Sequence, residues 1–422
     1  MDVWVAGTVF IVAYALIATE RLDRTIVALL AGMAVVGLGI VDQHDAFAAI
    51  DLNVIFLLVG MMVLATILAT TGFFEWLAIE AVRISRGEPL RLLVTMSIMT
   101  AVLAAFLDNV TTVVLTTPIT LSVARRLGIS PMPYLISQIL ASNIGGTATL
   151  IGDPPNILIG SAAGLDFGAF LVNLAPIVVV IFVAFVGLMI VAFRGAMHVP
   201  DARREAALEQ EAADAITDRP LLIRSLVVLG VTIVGFLAHS ALGIEAATVA
   251  LLGAAALLLV GRVDPHAALR EVEWSTIFFF VGLFVLVEGV VQVGIVEGIA
   301  DRLVEAAAGD ATVASIGLLW FSAIASAVID NIPYTASAIP VVERLIESGL
   351  PAEPLWWSLA LGACLGGNLT IVGASANVVV ANLAARDGQP ISFRVFLRYG
   401  AVVVAMSLVL STAYVWLRYL GG

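Results

Sequence analysis

The chain has 422 residues, 61% of them hydrophobic and only 12% charged, with a mean hydropathy of +1.09. Soluble domains sit near half apolar and a quarter charged, so this composition excludes a soluble globular fold and predicts an all-α polytopic membrane protein. The net charge of −12, twenty basic residues that are all arginine with no basic-aromatic cluster, and a single cysteine, Cys364, exclude nucleic-acid binding, an internal disulfide and a cysteine-rich metal centre.

The first apolar run, Val3–Thr19, follows only Met1 and Asp2, without a basic n-region or an A-x-A site, so a retained span is expected rather than a cleaved signal. Spans are also expected at Thr25–Val41 and Val54–Thr71. Two short apolar arms follow, Leu92–Leu107 and Val110–Val123, with Asp108-Asn109 between them. The segment Tyr134–Ala163 is apolar but broken by glycine and proline, and Phe170–Phe193 completes the first half. The polar stretch 196–220, acidic from Asp201 to Asp218, reads as a solvated cytoplasmic linker. The second half repeats the series: Leu221–His239, Ala246–Gly261, Trp274–Val293, arms Thr312–Ile329 and Thr335–Ile346 around Asp330-Asn331, a broken segment Trp356–Ala385, and Phe396–Leu417. An α-helix needs about 20 residues to cross a bilayer, and the arms are shorter and meet at polar residues. They are therefore expected as re-entrant hairpins, 92–127 and 312–346, beside about ten transmembrane helices. Trp356-Trp357 suit an interfacial belt, and His44 and His266 suit capped loops.

With the N-terminus outside, this topology puts seventeen of the twenty arginines on the cytoplasmic side, all but Arg302, Arg344 and Arg418. Both termini are then expected outside a plasma membrane. A shift of 222 residues aligns Val27–Gly32 with Val249–Ala254, Ile55–Gly60 with Ile277–Gly282, Asp108-Asn109 with Asp330-Asn331 and Pro118 with Pro340. A shift of 221 then aligns Gly145, Gly146, Gly152 and Asn156 with Gly366, Gly367, Gly373 and Asn377. One offset held this far predicts duplication. Five spans per half, an odd number, make it an inverted repeat of 1–195 and 221–422, the pattern of secondary transporters that bind their solute near the midplane.

The chemistry concentrates at the hairpin tips and broken segments. A lone carboxylate at that depth costs at least ~2.5–3.5 kcal/mol, so Asp108 and Asp330 need a cation, a proton or a donor network. A coupling site for H⁺ or Na⁺ and a helix N-cap are both open readings of each acid. Asn109, Thr111 and Thr112 in one half, and Asn331 and Thr335 in the other, add the oxygen ligands of a hard cation or an oxygen-rich solute. In the broken segment 134–163, Asn143, Gly145, Gly146, Thr147, Asp153 and Asn156 are candidates. In 356–385 the candidates are Gly366, Gly367, Asn368, Thr370, Ser375 and Asn377. Pro154 and Pro155 cannot sit inside a helix, whereas Ala374-Ser375-Ala376 is expected to break its helix more softly. No arginine is expected within the site to balance a di-anion. Beyond Na⁺ at Asp108 and Asn109 no metal is expected, and no cofactor.

FLDNVTTVVLTTP, SNIGGTATLIGDPPN and GGNLTIVGASANVVV resemble the arsenite-permease/P-protein family of the ion-transporter superfamily, which also holds NhaD-type Na⁺/H⁺ antiporters and dicarboxylate symporters. The resemblance covers nearly the whole chain. It implies a homodimer with a scaffold and a moving transport domain, working by an elevator motion. In the dicarboxylate branch each tip carries Ser-Asn-Thr; here the tips read Asp108-Asn109-Val110 and Asp330-Asn331-Ile332, which speaks against a di-anion. The expected function is a secondary transporter, not an enzyme, coupling H⁺ or Na⁺ to a small inorganic ion or oxyacid, with arsenite or antimonite efflux leading. Na⁺/H⁺ antiport and Na⁺-coupled dicarboxylate symport are the alternatives, and a channel or an intramembrane aspartyl protease the remote ones.

Overall fold

The computed structural model describes residues 2–19, 21–194 and 212–421, so most of the expected linker, with Arg203 and Arg204, lies outside the described residues. All regular structure among the described residues is helical. The first half runs α1 (Asp2–Thr19), α2 (Arg24–Gly37), α3 (Gln43–Ala48), α4 (Leu52–Thr70), α5 (Phe73–Ile84), α6 (Pro89–Leu107), α7 (Asn109–Leu127), α8 (Met132–Gly146), α9 (Pro154–Ala163), α10 (Phe167–Asn173) and α11 (Ala175–Phe193). The second runs α12 (Arg219–Leu242), α13 (Ala246–Gly261), α14 (Pro265–Arg270), α15 (Trp274–Gln292), α16 (Ile295–Ala307), α17 (Ala311–Ile329), α18 (Asn331–Glu347), α19 (Ala352–Gly366), α20 (Ser375–Arg386) and α21 (Phe393–Val415).

Side-chain caps fix many of the starts. Asp51 Oδ1 accepts from Asn53 N at 2.9 Å and Val54 N at 3.1 Å to open α4. Asp42 and Asp264, a repeat pair, accept from His44 N at 2.8 Å and His266 N at 3.1 Å, so both histidines stand at capped helix starts. The amphipathic helices α5 and α16 follow α4 and α15 at matching places. In α5 the apolar face Phe74, Ala78, Ala81 and Val82 is buried at helical spacing.

Among the described residues eight helices are long and apolar enough to cross a membrane, or nine if α9 and α10, bent by 114°, count as one span. The expected ten differ for three reasons. α2 and α13 are apolar but shorter than the eight; the broken segments 134–163 and 356–385 are divided into the shorter helices α8, α9, α19 and α20; and α6 and α17, read from sequence as hairpin arms, are 19 residues each and qualify by length. The span expected at Phe170–Phe193 is divided at Leu174 between α10 and α11.

Packing follows the repeat. α2 lies along α15 and α4 along α13, each helix on the counterpart of the other. Small residues permit both approaches: a Cβ on Gly60 would meet the backbone of Ala250, and one on Gly282 the backbone of Ala28, the same pair 222 residues apart. A second set packs α6 on α8 and α17 on α19, while α7 crosses to α20 and α18 to α9. Each hairpin's second arm thus rests on the other half's broken segment, which brings both tips to one place. Trp356 and Trp357 are buried rather than placed in an interfacial belt, Trp357 standing edge-on to Phe170 at 5.3 Å. Tertiary packing of α19 on α10 overrides their amphipathic preference for the interface.

Candidate functional site

Each tip is one aspartate in a backbone conformation that L-residues rarely adopt, φ +100° at Asp108 and +94° at Asp330. Such residues cost about 1–3 kcal/mol and persist where their surroundings impose the geometry. Capping is part of what imposes it: Asp108 Oδ1 accepts from Thr111 N at 2.8 Å to start α7, and Asp330 Oδ1 accepts from Ile332 N at 3.0 Å to start α18. The N-cap reading holds at both acids. It leaves a second oxygen on each.

The two tips spend that second oxygen differently. Asp330 Oδ2 accepts from Ser375 Oγ at 2.9 Å and lies 3.6 Å from Arg24 Nη1, whose guanidinium also bonds Ser375 Oγ and stands 5.1 Å over the Phe279 ring. Arg24 corrects the expectation that no arginine lies in the site. Sequence order put it in a loop between spans; packing of α2 on α15 turns its side chain inward. A signal was present, since the repeat aligns Arg24 with Ala246, a charge without a counterpart. Asp108 makes no ion pair with any described residue. Tyr14 is a second residue the sequence did not reveal: its hydroxyl donates to Pro333 O at 2.8 Å and pairs with Ser337, tying α1 to α18.

Carboxamides join the halves. Asn109 Nδ2 donates to Asn143 Oδ1 at 3.0 Å, and Asn143 Nδ2 donates to Asn368 Oδ1 at 2.9 Å and Asn377 Oδ1 at 2.8 Å. Asn331 Nδ2 donates to both oxygens of Asp153, at 3.1 and 3.3 Å, while its main-chain N–H donates to Gly373 O at 3.1 Å. Cys364 Sγ donates to Asn156 Oδ1 at 3.4 Å. Each tip therefore meets its own half's broken segment, as the spacing predicts, and Asn331 and Asn143 also reach the other half's.

The two breaks are alike although only one has prolines. Asp153 and Ala374 both stand extended before the resumed helix, at φ −143° and −152°. The softer break expected for the second half does not occur. The reason is a shared asparagine: Asn156 Nδ2 donates to Thr147 O at 3.1 Å and Thr149 O at 2.9 Å, and Asn377 Nδ2 to Gly367 O at 2.7 Å and Thr370 O at 2.8 Å. These carboxamides supply the donors that carbonyls lose where a helix stops. Gly145 and Gly366 let α8 and α19 touch α6 and α17, since a Cβ at either would strike the backbone of Ala101 or Ala323. Gly146 and Gly367 lie against Gly152 and Gly373 in the same way. Thr147, Thr335 and Thr370 turn their hydroxyls to main-chain carbonyls, of Asn143, Asn331 and Ala327, so these three brace the site instead of facing into it.

Asn109 Oδ1 and Thr112 Oγ1 are among the buried side-chain oxygens that find no partner among the described residues. Both belong to the first tip. Beside the second tip is a cavity of about 390 Å³ lined by Arg24, Asp23, Glu273, Asp330, Ser375 and Asn382. Glu273 also borders a cavity of about 510 Å³ that reaches Thr111. A cavity of about 340 Å³ lined by Asn53, Ser161, His239, Glu245 and Ala246 occupies the place the repeat assigns to the first of these.

The model of the family described as CitMHS, citrate transporter, matches residues 14–362. An uncharacterized transporter of Mycobacterium tuberculosis is 46% identical over 98% of both chains. The P protein of Homo sapiens is 34% identical over 98% of this chain, which spans 59% of that protein. The crystal structure of the Alcanivorax borkumensis YdaH transporter is similar in fold, with a TM-score of 0.57 at 16% identity, over 99% of this chain and 98% of that one.

Proposed function

The chain belongs to the CitMHS citrate-transporter family of membrane proteins, and on that premise we propose a secondary transporter driven by one cation, H⁺ or Na⁺, held at the first hairpin tip. The observation that carries this is the pairing of Asp108, an acid without an ion-pair partner, with two buried oxygens that lack partners, Asn109 Oδ1 and Thr112 Oγ1. A carboxylate, a carboxamide oxygen and a hydroxyl form a hard-donor set suited to an alkali cation. Cation binding would fix the tip on Asn143; its loss would free the hairpins and broken helices to reorient in an elevator motion. We place the protein as a homodimer in the plasma membrane, both termini outside.

For the solute we propose a small inorganic ion or oxyacid, arsenite or antimonite first and Na⁺ in exchange for H⁺ second. Arg24 supports a further reading, cation-coupled symport of a carboxylate such as the citrate of the family's description. Against a free polyanion, the cavity sets Asp23, Glu273 and Asp330 against that one arginine. Flux into proteoliposomes under imposed pH or Na⁺ gradients, comparing arsenite, Na⁺, citrate and succinate, separates these readings. Asp108→Asn is expected to reduce coupled flux to background while the protein stays folded. Full activity in that variant overturns the assignment.

A further inference from the structure

The two halves hold equivalent acids, and among the described residues only Asp330 of the two has an arginine beside it. Applying the repeat offsets, Asp330 corresponds to Asp108, Ser375 to Pro154, and Arg24 to Ala246. At the second tip, Ser375 Oγ donates to Asp330 Oδ2, and Arg24 bonds Ser375 and faces the same carboxylate oxygen at 3.6 Å. At the first tip the serine is a proline that offers no hydroxyl, the arginine is an alanine, and two buried oxygens lack partners. Asn331 gives its Nδ2 to the carboxylate of Asp153, where Asn109 gives its own to the carboxamide of Asn143.

We propose that the Arg24 guanidinium stands in for a bound Na⁺ at the second tip, so that the duplicated fold keeps two cation positions but takes only one cation from solution. The geometry suits a substitute ligand. The guanidinium arrives from α2, outside the hairpin, and its remaining face is covered by the Phe279 ring. Its side chain is 30% exposed and that of Asp330 only 9%, so the charge reaches the buried acid from the cavity side, the route a free cation would take. An alkali cation needs oxygens, and Asp330 Oδ2 with Ser375 Oγ would provide them once the arginine is gone. The inference rests on the first tip as the coupling site, because it reads the second tip as that site's altered copy.

The test is equilibrium binding of ²²Na⁺ to the purified full chain at pH 8.5, with melting temperature and gel filtration as checks on folding. Arg24→Ala and Arg24→Gln are expected to bind one more Na⁺ per chain than the parent protein. The double variant Arg24→Ala/Asp330→Asn is expected to lose that gain and, because both charges are removed together, to stay folded if the single variant does not. No gain in a folded Arg24→Ala or Arg24→Gln protein overturns the proposal, as does an equal gain in the double variant. Asp108→Asn in the same experiment separates the two ideas. If it leaves Na⁺- or pH-driven flux intact, the first-tip assignment fails, whatever the count in the Arg24 variants.

Discussion

Asn143 is the side chain that joins the most elements of the site, and replacing it by alanine gives a magnitude that can be worked from three contacts. The variant removes the acceptor of Asn109 Nδ2 (3.0 Å) and the donor to Asn368 Oδ1 (2.9 Å) and Asn377 Oδ1 (2.8 Å). All four residues are buried. Asn109 is left with no side-chain hydrogen bond, while Asn368 and Asn377 keep their Nδ2 bonds to main-chain carbonyls. A buried polar atom stripped of its partner costs about 1–3 kcal/mol, which puts an upper range of about 3–9 kcal/mol on the change. Side-chain hydrogen bonds between membrane helices average nearer ~0.6 kcal/mol by double-mutant cycles, a lower bound of about 2. We therefore expect a loss of roughly 2–5 kcal/mol, a fall of about 5–10 °C in melting temperature. Tryptophan fluorescence during heating of detergent-purified protein reads this directly. Ser142→Ala, one residue away, is the control: that hydroxyl bonds only Ile139 O in its own helix, at 2.9 Å, and its loss is expected to cost under about 1 kcal/mol. Asn143→Ala melting within about 1 °C of the parent, or no lower than Ser142→Ala, refutes the view that the carboxamide cluster holds the two halves together.

Gly145→Ala and Gly366→Ala each press a methyl group into the backbone of the facing hairpin arm, at Ala101 and Ala323, and should each lower stability by about 1–3 kcal/mol by the same melting assay. Because the two positions are repeat equivalents, similar losses are expected; a neutral result at either shows that its helix pair can separate without cost. Tyr14→Phe removes the donor to Pro333 O (2.8 Å) and the contact with Ser337, for about 1 kcal/mol. If α1 releases α18 during transport, the variant should shift the distribution between the two access states about fivefold, read as the labelling rate of a cysteine placed in the Arg24 cavity; an unchanged rate refutes a state-dependent contact.

The hairpin tips were legible because Asp-Asn recurs at one offset in surroundings too apolar for idle carboxylates, and the broken segments because glycine pairs recur with it. The helical membrane fold, the repeat and Asn109, Asn143, Asp153, Asn331, Asn368 and Asn377 as a polar set all follow from composition and spacing, which are local or periodic properties of the chain. Arg24 and Tyr14 were not legible as site residues. Each lies far in sequence from what it touches, 351 residues from Ser375 and 319 from Pro333, and only the packing of α1 and α2 against the second half brings them there. The second break shows the same division: Ala374-Ser375-Ala376 carries no local breaker, and the turn is made by Asn377 capturing carbonyls seven and ten residues away. By itself the sequence determined which residues are too polar to leave unpartnered at membrane depth. Which partner each one found was decided by tertiary structure, because a charge or carboxamide in a low-dielectric interior is satisfied by whatever the fold brings within about 3 Å, and that is not written in spacing along the chain.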